Sequence, residues 1–249
     1  MHTHTHQRAQ PMPPSEASVT LIDTMLPMCS HYQGIKERER YRRHFGVEPP
    51  ADLGKHDMWP GYGGTFMRSY PQADVGDTAV PEREALPGLF GLIPPWSADI
   101  RATRYNYNAR SETVVSKHSF REAWLKPQHC IIPADAIFEP DWRSGKAIPT
   151  RIARADGAPM GIAGLWSSWK LPNGELLFSY TMLTINADTH PLMRLMHKPT
   201  DEKRMVVIMP DDRYDDWLKA DSVQARHFLK HFPADQLTAS SPEPARGLF

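Results

Sequence analysis

The sequence predicts an α+β fold, a single domain of short, mostly antiparallel strands with helices at its periphery. Three observations lead there. The 249-residue chain carries 24 prolines and 15 glycines, a density of turn formers that favours short strands over a helical bundle. Its apolar runs are brief and bounded by turn residues. Strands do not alternate with helices as a parallel sheet requires, and no segment repeats.

Taken in order, residues 1–27 read as an unstructured leader: His2, His4 and His6 alternate, prolines follow, and apolar periodicity is weak. A secretory signal needs a basic start and a continuous apolar core, and neither is present, so an over-long or tag-like start is expected, with Met28 as the biological start. The domain is expected over 28–235, with a trailing tail over 236–249. Within it, helical spacing of Ile35, Tyr41 and Phe45 predicts a first helix over Tyr32–Phe45. Residues 49–64 read as a loop, Phe66–Tyr70 as a strand and 71–87 as a second loop. Gly88–Ile93 is a short apolar strand stopped by Pro94-Pro95. Ser119–Leu125 is expected to be helical. Cys130–Glu139 reads as one buried strand, followed by strands at Ile148–Arg154 and Met160–Trp169. Pro172-Asn173-Gly174 is a hairpin turn before the strand Leu176–Ile185. Helices are expected at Thr189–Met196, Tyr214–Leu218 and Ser222–His231, and a strand at Met205–Met209.

Lysine plus arginine equals aspartate plus glutamate at 29 each, so the chain has no global basic field. Nucleic-acid binding, if present, rests on a local patch. Two cysteines make no disulfide framework, and the absence of a CxxC pair leaves no zinc motif. A reducing, cytoplasmic setting is expected. The apolar runs fall short of the ~18 residues a membrane span needs. No metal and no cofactor is expected.

The residues that could carry chemistry lie at or beside strand ends. Cys29 follows Met28 directly. If the chain begins there and the methionine is removed, Cys29 carries a free amine and a thiol on adjacent carbons. Such a 1,2-aminothiol condenses with an aldehyde to a five-membered thiazolidine, and an α-amine titrating near ~8 is partly neutral at physiological pH. The competing reading is a buried, inert thiol. Glu139 ends an apolar run, where partial desolvation raises a carboxyl pKa and suits it to proton transfer; a surface or ion-paired glutamate is the alternative. Asn108 and Arg110 share a face if the segment is a strand, and the arginine can grip a phosphate. His197 is a candidate with His190 as its rival. Trp96, after two prolines, can stack on a base or fill a core. His118 and His129 have no partners at metal-ligand spacing.

Together these pieces resemble the SOS response-associated peptidase (SRAP) family, also called abasic-site processing proteins. The resemblance rests on Met28-Cys29, Gly91-Leu92-Ile93-Pro94 with Trp96, Asn108-Ala109-Arg110-Ser111-Glu112-Thr113, Cys130-Ile131-Ile132-Pro133-Ala134-Asp135 running to Glu139, and Leu183-Thr184 through His197 to Arg204-Met205. It implies an SRAP-like domain whose short strands form a barrel-like sheet core. It also implies an enzyme of the DNA damage or SOS response that cross-links covalently to abasic sites in single-stranded DNA, with autopeptidase and lyase activity. Cys29 matches the cysteine that forms the thiazolidine, Asn108 the asparagine that orients sugar and cysteine, Glu139 the proton-moving glutamate and His197 the histidine that assists sugar opening. Arg110, Trp96, Thr184 and Arg204 match DNA-binding positions. The implied partner is single-stranded DNA containing abasic sites, with no membrane and a monomeric chain. The chain departs from the family pattern at Ser30-His31 in place of Gly-Arg, at Pro140, at Val206 and in the length of Lys198–Lys203. Two other functions fit the same residues: a thiol peptidase using Cys29 and His197, and a non-catalytic single-stranded DNA-binding module.

Overall fold

The structure, a computed structural model, describes residues 29–71 and 81–241. The expected leader, with Met28, therefore lies outside the described residues, as do most of the loop expected over 71–87 and the end of the expected tail.

The strands are β1 (His31–Gln33), β2 (Asp57–Met58), β3 (Gly63–Ser69), β4 (Arg83–Phe90), β5 (Asn108–Arg110), β6 (His129–Ala134), β7 (Ala136–Asp141), β8 (Ile148–Arg154), β9 (Met160–Lys170), β10 (Leu176–Asn186), β11 (Arg204–Val206), β12 (Ile208–Met209) and β13 (Leu237–Ser240). Helices α1 (Arg38–Phe45), α2 (His118–Leu125) and α3 (Tyr214–Lys219) lie outside them. The larger sheet runs β11-β10-β4-β3-β6-β9-β12, and a further pairing of β10 with β9 closes β10-β4-β3-β6-β9 on itself. This closure is the expected barrel-like core, and it removes the unpaired edges of those strands. A second sheet, β13-β8-β7-β1-β2, is antiparallel throughout. Parallel pairing joins β10 to β4 and to β5; the other pairs are antiparallel.

The core shows why these residues take these places. Every residue of β6 is buried, so its run Cys130-Ile131-Ile132 is apolar without alternation. Phe66, Phe90 and Tyr180 meet inside the barrel, with Tyr180 centred 5.7 Å from Phe66 and 5.9 Å from Phe90. Tyr41 and Phe45 are the buried face of α1, and Gly46 ends that helix in the left-handed region at φ 66°, a conformation glycine adopts without strain.

Several expected elements differ. The expected first helix is a strand followed by a shorter helix: His31–Gln33 pairs with both β2 and β7, and only Arg38–Phe45 is helical. Cys130–Glu139 is two strands, because at Asp135 the chain leaves one sheet for the other and its amide bonds to Gln33 instead. The expected helices at Thr189–Met196 and Ser222–His231 are single 3-10 turns, Met193–Leu195 and Gln224–Phe228. Leu237–Ser240, within the expected tail, is β13, held by pairing with β8 over Leu237↔Arg154 to Ser240↔Arg151.

Candidate functional site

Cys29 stands two residues before the start of β1, with φ 50°, an uncommon backbone for a residue other than glycine. The pairing of β1 with β7 (His31↔Phe138) brings it beside Glu139. The Cys29 backbone nitrogen donates to Glu139 Oε2 at 3.4 Å, and the Cys29 thiol donates to Oε1 of the same carboxyl. One carboxyl therefore faces both the nitrogen and the sulfur of a single cysteine. Both side chains are buried. Burial is the first cause that raises the thiol well above its ordinary value, and the neighbouring carboxylate adds to it; the Val206 amide offsets this in part. Burial also pushes the Glu139 carboxyl up to about 7, against the lowering effect of its hydrogen bonds from Cys29.

His197 enters from the third side. Its own backbone is left-handed at φ 61°, and its amide donates to Pro140 O at 2.7 Å, which ties it to the strand carrying Glu139. Its Nε2 lies 3.3 Å from Glu139 Oε2 but is not aligned as a hydrogen bond to it. Burial, then the nearby Lys203 charge, lowers the imidazole to about 4. The trio is a neutral imidazole, a carboxyl poised to hold or release a proton at neutral pH, and a protonated thiol. Such a set moves protons; it does not hold a standing thiolate.

Asn108 and Arg110 lie on β5, opposite Met182 and Thr184 of β10. Asn108 is half-buried and Arg110 exposed, with Arg110 Nη1 donating to Glu202 Oε2 at 3.0 Å. Tyr107 precedes them. Its phenol is raised to about 12 by burial, with the charges of Cys29 and Glu139 contributing, so it belongs to the same surroundings. Pattern reading missed it, because an aromatic in a tyrosine-rich run reads as core.

Thr184 and Arg204 are both buried. The Arg204 guanidinium is buried and donates to Thr184 O at 2.8 Å, to Glu112 at 2.9 Å and to Glu202 at 2.8 Å. The two residues form an internal brace: the carboxylates of Glu112 and Glu202 and the Thr184 carbonyl take up the guanidinium. Trp96 is exposed at 53% and stacks on His118, ring centroids 4.3 Å apart. The rival histidine is placed elsewhere: His190 Nε2 donates to Phe232 O at 2.9 Å, and its Nδ1 accepts from the Met193 amide at 3.0 Å. His31 is sandwiched between Trp59 and Phe138, 4.2 Å from each ring, beside Asp57 at 3.3 Å. Sequence pattern gave no signal for that stack, since its members come from three separate strands and loops. Among the described residues there is no group of three or more His, Cys, Asp and Glu side chains able to hold a metal ion, and no helix is long and apolar enough to cross a membrane.

Comparison with known proteins follows the same lines. A crystal structure of a protein from Bordetella bronchiseptica is 52% identical, with a TM-score of 0.77, covering 87% of this chain and 100% of its own. One from Bacteroides thetaiotaomicron is 21% identical at a TM-score of 0.71, over 86% of this chain and 91% of its own, and shares the fold. The Bacillus subtilis protein named abasic site processing protein YoqW is 34% identical over 60% of this chain and 65% of its own length. The Gallus gallus protein named abasic site processing protein HMCES is 24% identical over 80% of this chain and 62% of its own length. The chain thus spans just under two thirds of the length of these curated relatives. The family model described as SOS response associated peptidase matches residues 28–243, a span that takes in every described residue, and the chain belongs to the SRAP family.

Proposed function

We propose that this protein processes abasic sites in single-stranded DNA by capturing the open-ring sugar aldehyde on Cys29. The observation that carries the reading is the single Glu139 carboxyl set against both the nitrogen and the sulfur of Cys29. The two relatives named as abasic site processing proteins support the same substrate.

The reaction requires Met28 and whatever precedes it to be removed, so that the Cys29 nitrogen is an amine. The neutral amine adds to C1′ of the aldehyde to give a carbinolamine. Glu139 protonates the departing hydroxyl, and water leaves as the imine forms. The thiol sulfur then adds to the carbon of the protonated imine, its proton passing to Glu139 and the nitrogen keeping the one proton it carried in the carbinolamine. The thiazolidine forms with net loss of one water, and Glu139 ends as it began. His197 lies 3.3 Å from Oε2 of that carboxyl and supports proton exchange there. Asn108 orients sugar and cysteine, Arg110 holds a backbone phosphate, and Trp96 offers a stacking face. The thiol-peptidase alternative has less support, because the Cys29 thiol donates to the Glu139 carboxyl rather than to the imidazole.

Protein with Cys29 at its amino terminus, confirmed by intact mass, is mixed with single-stranded DNA bearing one abasic site and run on a denaturing gel. A stable adduct is expected, and Cys29→Ala is expected to give none. A normal adduct from Cys29→Ala overturns the assignment.

A further inference from the structure

Glu202 closes the segment that leads from His197 to β11. Its Oε2 accepts from Arg110 Nη1 at 3.0 Å, while its Oε1 accepts from Arg204 Nη1 at 2.8 Å and Asn186 Nδ2 at 3.3 Å. Arg204 is also taken by Glu112 at 2.9 Å. Two guanidinium groups and two carboxylates thus balance in one cluster. Only one of the two cations faces outward: the Arg110 side chain is 50% exposed and Glu202 39% exposed, whereas Arg204 is buried.

A carboxylate and a phosphate ask for the same guanidinium donors. Wherever a strand lays a phosphate on Arg110, it must either displace the Glu202 carboxylate or lie beside its negative charge. We propose that Glu202 is a specificity-determining residue, a built-in phosphate surrogate on Arg110 that holds down the binding of undamaged single strands. The inference rests on the reading that Arg110 grips a backbone phosphate. Discrimination is a difference of affinities, and it is sharpened by an element that works against the unwanted partner. Undamaged DNA has only its non-covalent contacts to offer against that element, whereas an abasic site adds bond formation at Cys29. The pair is exposed and so weak enough to be exchanged: pairs of this kind are worth at most ~1 kcal/mol, about a five-fold change in affinity.

The test measures binding of the full chain to a labelled oligothymidylate with intact sugars, by fluorescence anisotropy across a salt series. Glu202→Gln keeps an oxygen for Arg204 and Asn186 and removes the charge. It is expected to tighten binding about five-fold at low salt and to steepen the salt dependence, by up to the ~0.7 that one added phosphate contact contributes on a single strand. Adding Arg110→Ala to Glu202→Gln is expected to abolish the gain, a result that a purely structural role for Glu202 does not produce. Glu202→Ser, which also removes the charge, is expected to act in the same direction and serves if the glutamine variant folds poorly. On abasic DNA, the adduct formed by Glu202→Gln should be inhibited at lower concentrations of intact competitor strand than that of the parent chain. Unchanged or weaker oligothymidylate binding by both charge-removing variants, with the parent adduct intact, overturns this inference and leaves the capture of abasic sites standing. A parent chain that neither binds single strands nor forms the adduct overturns both.

Discussion

The imidazole Nε2 of His197 stands 3.3 Å from Glu139 Oε2, the same oxygen that receives the Cys29 amide. Burial drives these neighbours apart in acidity, the imidazole down to about 4 and the carboxyl up to about 7. At neutral pH the imidazole is uncharged, so in the proposed reaction Glu139 supplies the mobile proton. Dehydration of the carbinolamine needs Glu139 protonated, which holds below pH about 7. Addition needs the α-amine neutral, which holds above its ordinary value of ~8. The rate of adduct formation is therefore expected to peak between those values and fall on both sides. Glu139→Gln should slow the single-turnover rate ~100-fold or more and remove the alkaline fall. An alkaline fall that persists in Glu139→Gln would assign it to another group.

The same carboxyl makes a separate demand on folding. Its value in the folded chain, about 7, lies above the ordinary 4.5. The folded state therefore binds more protons than the unfolded state between those values. The stability it contributes is fully present below 4.5 and is lost as pH rises through 7. Glu139→Gln, neutral at every pH, is expected to leave stability nearly unchanged at pH 5 and to raise it at pH 8 by on the order of 1–3 kcal/mol. Urea denaturation at the two pH values measures this. Equal effects at both would place the ionised carboxylate in water.

Two buried histidines act in the opposite sense. His197 and His129 are both lowered to about 4 by burial, and His129 stacks on Trp217 with ring centroids 4.2 Å apart. Between 4 and the ordinary 6.5 the unfolded chain binds more protons, so stability falls as pH drops across that window. His129→Phe, which keeps a ring for Trp217, is expected to flatten part of the acid-side loss. Denaturation midpoints at pH 5 and pH 7 give the comparison, and an unchanged difference between them would mean that His129 is solvated.

Local signals carried much of the architecture. Ile148–Arg154 reads as a strand, and β8 has those bounds. Asn108 and Arg110 read as one face of a strand because strands repeat every second residue, and β5 holds them so. The break inside Cys130–Glu139 left no mark, since a run buried in one sheet and a run buried in the next are equally apolar; only the bond from Asp135 to distant Gln33 separates them. The fate of Arg204 was hidden for the same reason. Whether an arginine faces DNA or is braced inside depends on Glu112, 92 residues away, and no local pattern encodes that distance.

Gly91 shows how tightly a single position can be fixed by its backbone. It lies at φ 108°, and a Cβ there would stand 2.1 Å from the Thr103 carbonyl oxygen. Its amide donates to Tyr180 O at 2.8 Å, and the next amide donates to Asn106 O at 2.9 Å, so the backbone has no room to turn aside. Gly91→Ala is expected to cost about 3 kcal/mol or more. Gly145, at φ 80° with nothing near its Cβ position, is the control. Gly145→Ala pays only the left-handed penalty, about 1–2 kcal/mol. Equal losses in denaturant midpoint for the two variants would show that the Thr103 contact relaxes freely.

Arg204 separates bracing from DNA binding. Its guanidinium joins β11 to Thr184 of β10 and to the carboxylates of Glu112 and Glu202. A planar fork with several donors reaches all of these; an ammonium group cannot. Arg204→Lys is therefore expected to lower folding stability by about 2 kcal/mol or more, since hydrogen bonds to charged groups are each worth ~1.5–3 kcal/mol. A residue that met phosphate directly would behave otherwise: Arg204→Gln, which removes the charge, would keep the folding midpoint and flatten the salt dependence of oligothymidylate binding by ~0.7. Thermal denaturation alongside a salt titration of DNA binding distinguishes the two. Loss of stability with an unchanged salt slope is the expected result on the proposal that Arg110, whose side chain is exposed, holds the phosphate.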